Sequence, residues 1–332
     1  MTIYFTRSSV IFKEHAKQEI GINNEFIDLF EGNFLTYSDM PPNKMIKKAD
    51  GSIFITNIFP IYIMESEMHI EKIIEIGNDI DHGNLLDKEK TFKILTLTYD
   101  ADIQSRDLEV KLGEKLEDIG YLVDFQNPEQ LIFLVLYKNE LYLGILERDE
   151  VLYEYLSPEK RFSREVNKLN RGENKLIEAI ERFHLERNLK ENTGIALDIG
   201  ASPGGWTKIL LEYDYKVYAV DPGKIDDSLK DAKNIVYIRK SIDEIDLEDK
   251  QFDLILNDAN LKPSESTGIV NSLQDHLKEG SFVIMTIKLI SRNVDRHLNE
   301  VKENLSQNFE IIKIKHLDSN RQEITMLLRK IK

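Results

Sequence analysis

The chain of 332 residues contains no cysteine and a single tryptophan. Without cysteine there are no disulfides, no Cys-ligated zinc, no iron–sulfur clusters and no thiol nucleophile. No apolar run is long enough to span a bilayer. The opening MTIYFTRSSVIFKEH has neither a secretory hydrophobic core nor an Arg-rich transit pattern, which places the protein in the cytoplasm as an expectation. The seven histidines are scattered, with no HExxH or H-x₃-H pair, so no metal site is expected. Acidic residues outnumber basic ones, 59 to 44. The net charge of −15 argues against broad, nonspecific polyanion binding, though a local basic strip can still meet a nucleic acid. The length suits two or three domains.

What is present centres on LDIGASPGGW, residues 197–206. The apolar run before it predicts a buried strand, and WTKILLEY after it predicts a helix with Trp206, Ile209, Leu210 and Tyr213 on one face. A strand, a Gly turn and a helix start together form a nucleotide-cofactor loop, because free N–H groups converge there and glycine permits close approach. The spacing G-x-x-x-G-G differs from the dinucleotide fingerprint G-x-G-x-x-G. The next strand, KVYAVD, ends on Asp221, about twenty residues beyond Gly200, where a carboxylate can accept both hydroxyls of a ribose. Loop and acidic strand end together favour S-adenosylmethionine over NAD. The lack of cysteine then excludes radical chemistry with that cofactor, and Cys-dependent methylation of pyrimidine C5.

From Lys175 onward, apolar strands alternate with helices, which predicts an α/β, doubly wound, mainly parallel sheet. GIALDI, KVYAVD, NIVYIR, FDLILND and SFVIMTIK read as strands, and SLQDHL and VDRHLNEVKENL as helices. FEIIKIKHL and EITMLLRK suit a closing antiparallel pair. Four polar residues then fall at the ligand-binding end of the strands. Asp258 follows FDLILN, Lys288 ends SFVIMTIK, Glu323 opens the last strand, and Lys175 begins KLIEAIERF. Any one alone is better read as a surface ion pair. All four in register with a cofactor loop point to catalysis.

The first half is α+β. Residues 1–65 show strands TIYFT and SIFITNIF around a short helix, VIFKEHAKQEI. Residues 66–150 hold the helices MHIEKIIEIGNDI and DLEVKLGEKLEDIGY, the latter with Leu108, Leu112, Leu116 and Ile119 on its apolar face. Strands FKILTLTYD, LIFLVLY and ELYLGIL accompany them, the last two joined at Lys138-Asn139. Residues 151–170 form a basic linker. Lys160, Arg161, Arg164, Lys168, Arg171 and Lys175 face only Glu165 and Glu173, which reads either as a solvated helix face or as a phosphate contact.

VDFQNPEQLIFLVLYKNELYLGI resembles the THUMP domain, which presents RNA to modifying enzymes. NRGENKLIEA, LDIGASPGGWT and NRQEIT resemble the SRxxxKLxEA, DLGAxPGGW and REEVT-like segments of the FtsJ-type ribose 2′-O-methyltransferases. VYAVDPGKIDDSLKDAKNIVYIRKS and NDANLKP are similar to the RlmM-like branch, which acts on 23S ribosomal RNA. That resemblance covers essentially the whole chain. It implies a Rossmann-like class I methyltransferase domain over residues 171–332, with a seven-stranded sheet, preceded by a ferredoxin-like unit and a THUMP-like domain. It also implies a catalytic tetrad of Lys175, Asp258, Lys288 and Glu323, with Lys288 as candidate base. Gly200, Ser202, Pro203, Gly204, Gly205 and Trp206 would line the cofactor, with Asp221 on its ribose, Ser241 near the adenine and Asp258 near the methyl end. Ser241 stands where the family often has Asp, and Gly172 where it often has Ser. RNA, large-subunit rRNA in particular, is the implied partner. An exocyclic-amine methyltransferase would show Asn/Asp-Pro-Pro-aromatic, where this chain has Asn257-Asp258-Ala259-Asn260. A protein or small-molecule methyltransferase would suit the acidic charge, and a catalytically silent RNA-binding homologue would suit the domain order.

Overall fold

A computed structural model describes residues 1–157, 171–289 and 293–331. The chain divides into two units, Met1–Ser163 and Arg164–Lys332.

The first unit begins with β1 (Thr2–Ser8), α1 (Lys13–Ile20), β2 (Glu25–Asp28), β3 (Asn33–Ser38), α2 (Pro42–Gly51) and β4 (Ile55–Pro60). The sheet order β2-β3-β1-β4 with all neighbours antiparallel is that of ferredoxin-like folds. Helix α2 starts on Pro42, whose fixed φ suits a first turn; the sequence reading assigns no helix there. Next come β5 (Ile63–Glu65), α3 (Lys72–His82), β6 (Thr91–Tyr99), α4 (Ser105–Asp118), β7 (Leu122–Val123), β8 (Gln130–Tyr137) and β9 (Glu140–Glu147). They form a five-stranded sheet ordered β5-β9-β8-β6-β7. The Leu108, Leu112 and Leu116 stripe of α4 is fully buried, whereas Ile119 falls just past the helix end and packs only partly. The rings of Phe5, Phe59 and Phe133 stack in series at 5.0 and 4.8 Å, joining the cores of the two sheets.

The second unit contains α5 (Arg171–Arg182), α6 (Glu186–Glu191), β10 (Ile195–Ile199), α7 (Gly205–Glu212), β11 (Lys216–Val220), β12 (Ile235–Ile238) and β13 (Phe252–Asn257). It continues with α8 (Pro263–Ser272), β14 (Leu277–Lys288), α9 (Val294–Leu305), β15 (Phe309–Lys315) and β16 (Glu323–Lys330). Its seven strands run in the order β12-β11-β10-β13-β14-β16-β15. The first five are parallel, and β16 is antiparallel to both of its neighbours. This is a Rossmann-like α/β fold. The order reverses between β10 and β13, so a ligand crevice opens at their carboxyl ends.

Three boundaries differ from the sequence reading. Helix α5 begins one turn before Lys175. The helix expected at SLQDHL is the last residue of α8 followed by a 3₁₀ turn. Strand β14 starts at Leu277, ahead of SFVIMTIK. Lys160, Arg161, Arg164 and Lys168 lie outside the described residues, and Arg171 opens α5. Among the described residues no helix is long and apolar enough to cross a membrane.

Candidate active site

Strand β10 ends at Ile199, and the chain turns at Gly200 with φ +78°. A Cβ here would stand 2.6 Å from the backbone of Ala259, so only glycine lets the loop lie against the end of β13. Ser202-Pro203 is cis. Gly204, at φ +120°, caps α7 without a side-chain hydrogen bond, which leaves the first N–H groups of the helix to a ligand. Asp221 follows β11. Its Oδ1 accepts from Gly223 N–H at 2.6 Å and its Oδ2 from Ser202 N–H at 3.2 Å. The acidic strand end and the Gly loop are therefore one structure, and each carboxylate oxygen keeps a lone pair for a ribose hydroxyl. Ser241 donates its N–H to Glu244 at 3.0 Å and caps the 3₁₀ turn after β12, at the same end of the sheet.

The family resemblance puts Trp206 on the lining of the cofactor site. Its side chain instead lies in the core, 3% exposed, and donates Nε1–H to the carbonyl of Gly172 at 2.7 Å. The indole packs better than it solvates, and its one polar atom finds a partner on α5.

Three of the four tetrad residues meet directly. Lys175 Nζ on α5 donates to Asp258 Oδ1 at 2.9 Å and Oδ2 at 3.2 Å, and stands 3.1 Å from Glu323 Oε1. Thr286 on β14 also donates to Asp258 Oδ1, at 2.7 Å. Lys288 is the register partner of Glu323 across the β14–β16 ladder, which brings it to the same end of the sheet. Among the described residues it makes no ion pair. Burial opposes the Lys175 charge, but the two carboxylates outweigh it and hold its pKa above the ordinary lysine value. Burial likewise opposes ionisation of Glu323, yet the Lys175 ammonium and the N–H groups of Arg321 and Gln322 hold its carboxyl below the usual range. Lys175 is a fixed cation, and Glu323 a fixed anion.

Two further residues support this end of the sheet without having been singled out in the sequence. Asp198, fully buried on β10, accepts from Thr207 Oγ1 at 2.6 Å, and its Oδ1 has no partner among the described residues. Burial pushes its pKa up to about 7, Thr207 opposing and the Asp258 and Asp221 charges adding to the rise. Its signal was a lone charge inside the apolar run IALDI. Glu173, buried on α5, pairs with Lys208 of α7 at 2.9 Å and ties the helix carrying Lys175 to the helix of the cofactor loop. Among the described residues no cluster of His, Asp or Glu is arranged to hold a metal ion.

Residues 169–323 match the FtsJ-like methyltransferase family. The second unit carries an FtsJ-like methyltransferase domain. S-adenosylmethionine is the cofactor of such a domain, and the residues present fit it. The uncapped helix start, the glycine cradle and the open lone pairs of Asp221 are what a nucleoside with a charged tail requires. The chain is 35% identical over 191 residues to the uncharacterized protein MJ1257 of Methanocaldococcus jannaschii, covering 54% of this chain and 52% of that one. It is 28% identical over 241 residues to ribosomal RNA large subunit methyltransferase M of Pseudomonas entomophila, covering 68% and 66%. The match thus spans about half to two thirds of the length of these curated relatives. TrmN from Thermus thermophilus superposes over 99% of this chain and 100% of its own, with a TM-score of 0.38 and 14% identity.

Proposed function

We propose that this FtsJ-like methyltransferase transfers a methyl group from S-adenosylmethionine to a ribose 2′-hydroxyl of RNA, with large-subunit ribosomal RNA as the substrate. The observation that carries this reading is how four side chains share their charges. Lys175 engages both Asp258 and Glu323, and among the described residues Lys288 beside them makes no ion pair. The cofactor supplies a methyl on a sulfonium, already electrophilic. What the chain adds is alignment of the 2′-oxygen and removal of its proton. Lys175 is held protonated, so it positions rather than accepts. Lys288 receives the hydroxyl and takes its proton, while the Lys175–Glu323 pair orients the ribose and the adjoining phosphate.

Gly200, Ser202, Pro203, Gly204 and Gly205 cradle the cofactor through their backbone. Asp221 would take its ribose hydroxyls, Ser241 would serve the adenine, and Asp258 would serve the methyl end. The substrate class rests on the relatives named as ribosomal RNA methyltransferases. It also rests on residues 66–150 as a THUMP-like RNA-presenting domain behind a ferredoxin-like unit over 1–65, and on the basic segment 151–170 as a phosphate contact.

The test is transfer of label from tritiated S-adenosylmethionine to deproteinised total RNA, followed by nuclease digestion and nucleoside mass spectrometry. Label is expected in 2′-O-methylnucleosides. With Lys288→Ala it should fall by about a hundredfold or more, while cofactor affinity stays within about twofold. Label in a methylated base would remove the ribose assignment. Equal loss of transfer and cofactor binding in the variant would make Lys288 structural.

A further inference from the structure

We infer that Glu178 is a positioning residue: a buried carboxylate on α5 that locks the turn leading into β16, and so fixes Glu323 against Lys175. The chemical consequence rests on the ribose-methylation reading; the locking itself does not.

Glu178 lies three residues after Lys175 on the same face of α5 and is fully buried. Its Oε1 accepts from Asp318 N–H at 2.7 Å, and its Oε2 accepts from Ser319 N–H at 2.9 Å and from Ser319 Oγ at 2.7 Å. These donors belong to the turn between β15 and β16, which ends at Glu323. The same turn is held at its other positions. Asn320 Nδ2 donates to the Glu323 carbonyl at 2.9 Å and to Thr325 Oγ1 at 3.2 Å. Leu289 N–H donates to the Gln322 carbonyl at 2.6 Å, which ties the turn to the residue after Lys288. Helix α5 thus meets the turn at two points one helical turn apart, Lys175 on Glu323 and Glu178 on residues 318 and 319. A single contact would let Glu323 swing about it, and two contacts set both distance and direction. An apolar side chain could fill the same space without the desolvation penalty of a carboxylate, so the gain lies in geometry rather than in packing. Glu178, Ser319 and Asn320 are all buried. Glu178 acts through Glu323.

Glu178→Gln keeps the shape but turns an NH₂ group toward one of the three donors. At pH 8 we expect kcat to fall about ten- to a hundredfold, as for a misplacement of about 1 Å, with KM and Kd for S-adenosylmethionine within about twofold. Amide hydrogen exchange in the ligand-free protein should quicken over residues 317–323 and stay unchanged over 200–206. Ser319→Ala, which removes one bond of the three, should show the same pattern with about a threefold to tenfold loss in kcat; it carries the comparison if Glu178→Gln does not fold. Wild-type kcat in Glu178→Gln would overturn the inference. So would faster exchange that spreads equally to 200–206 with a matching loss of cofactor binding, the mark of a general structural role. If the wild type methylates no ribose, the ribose reading falls, while the exchange pattern still decides whether Glu178 holds the turn.

Discussion

The two units bury different chemistry. In the first, the buried polar groups are mainly hydroxyls and amides, Thr6, Thr36, Asn57, Thr96 and Gln130 among them, with Arg7 as a buried charge. In the second, buried groups include Glu173, Glu178, Asp198, Arg182, Lys315 and His316. A buried charge costs several kcal/mol in desolvation and is retained only where hydrogen bonds or partners compensate it. In the second unit these charges cluster on α5, on β10 and at the end of β15, the elements that position the cofactor loop and the tetrad. The first unit is assembled mainly by apolar area; the second also buries several ionisable groups.

The largest expected effect tests the apolar side of that contrast. Phe133 is fully buried and stacks on Phe59 at 4.8 Å. Phe133→Ala should lose about 3–5 kcal/mol of stability through transfer and cavity terms. Chemical denaturation would read the loss as an earlier transition of the first unit. S-adenosylmethionine affinity, measured by calorimetry, should stay within about twofold. A larger change in affinity would mean that the site depends on the core of the first unit, and the contrast would fail.

How far the site is legible in the sequence follows from what each residue does. The loop from Gly200 to Trp206, Asp221 and the strand ends at Asp258, Lys288 and Glu323 could be found because each marks the end of an apolar run. Sheet order then brings those ends together. The pairing of Lys175 with both carboxylates could not be found that way, since it depends on how α5 lies against β13 and β16. Glu178 reads as an ordinary polar position of KLIEAIERF until Ser319, 141 residues away, turns out to bond it. Family resemblance puts Trp206 on the cofactor, whereas its apolar bulk argues for the core, where it lies. Helix α8 is hard to read because PSESTGIVNS has little apolar periodicity; Pro263 at its first turn, with Glu265 accepting the Lys262 N–H, defines the start instead.

A smaller effect separates ion pairs by their surroundings. Lys175→Met keeps the side-chain volume but removes the cation that Asp258 and Glu323 share, in a site mostly closed to water. We expect a loss of about 2 kcal/mol, below the value for a fully buried pair because some solvent reaches all three groups. In the first unit, Lys13→Met removes one of two cations on Asp28, a half-exposed carboxylate that keeps Lys17 at 2.9 Å. That change should cost less than about 1 kcal/mol. Equal losses in the two variants would show that burial around the tetrad carries no special weight.

The last contrast is in pH, and its sign differs between the units. In the first, Asp28 and Asp124 have lowered pKa values: burial opposes the Asp28 charge but Lys13 and Lys17 outweigh it, and N–H groups of Asn127 and Gln126 hold Asp124 down. Such groups stabilise the fold above their ordinary value of 3.8, and that stability is lost only as pH falls through their lower folded values. In the second, Asp198 and Glu178 have pKa values raised to about 7 from 3.8 and 4.5, chiefly by burial. For Glu178, Asp318 adds to the rise, while Arg182 and the Ser319 and Asp318 donors oppose it. The folded protein then binds these protons more tightly than the unfolded chain does. Stability falls as pH rises from about 4.5 through about 7, where the folded protein releases these protons. Denaturation midpoints of the second unit should therefore decline from pH 5 to pH 8 while those of the first stay level. Asp198→Asn should flatten the decline, because an amide has no proton to lose. A slope unchanged in Asp198→Asn would assign it to other groups and remove Asp198 from the buried charges that set this unit apart.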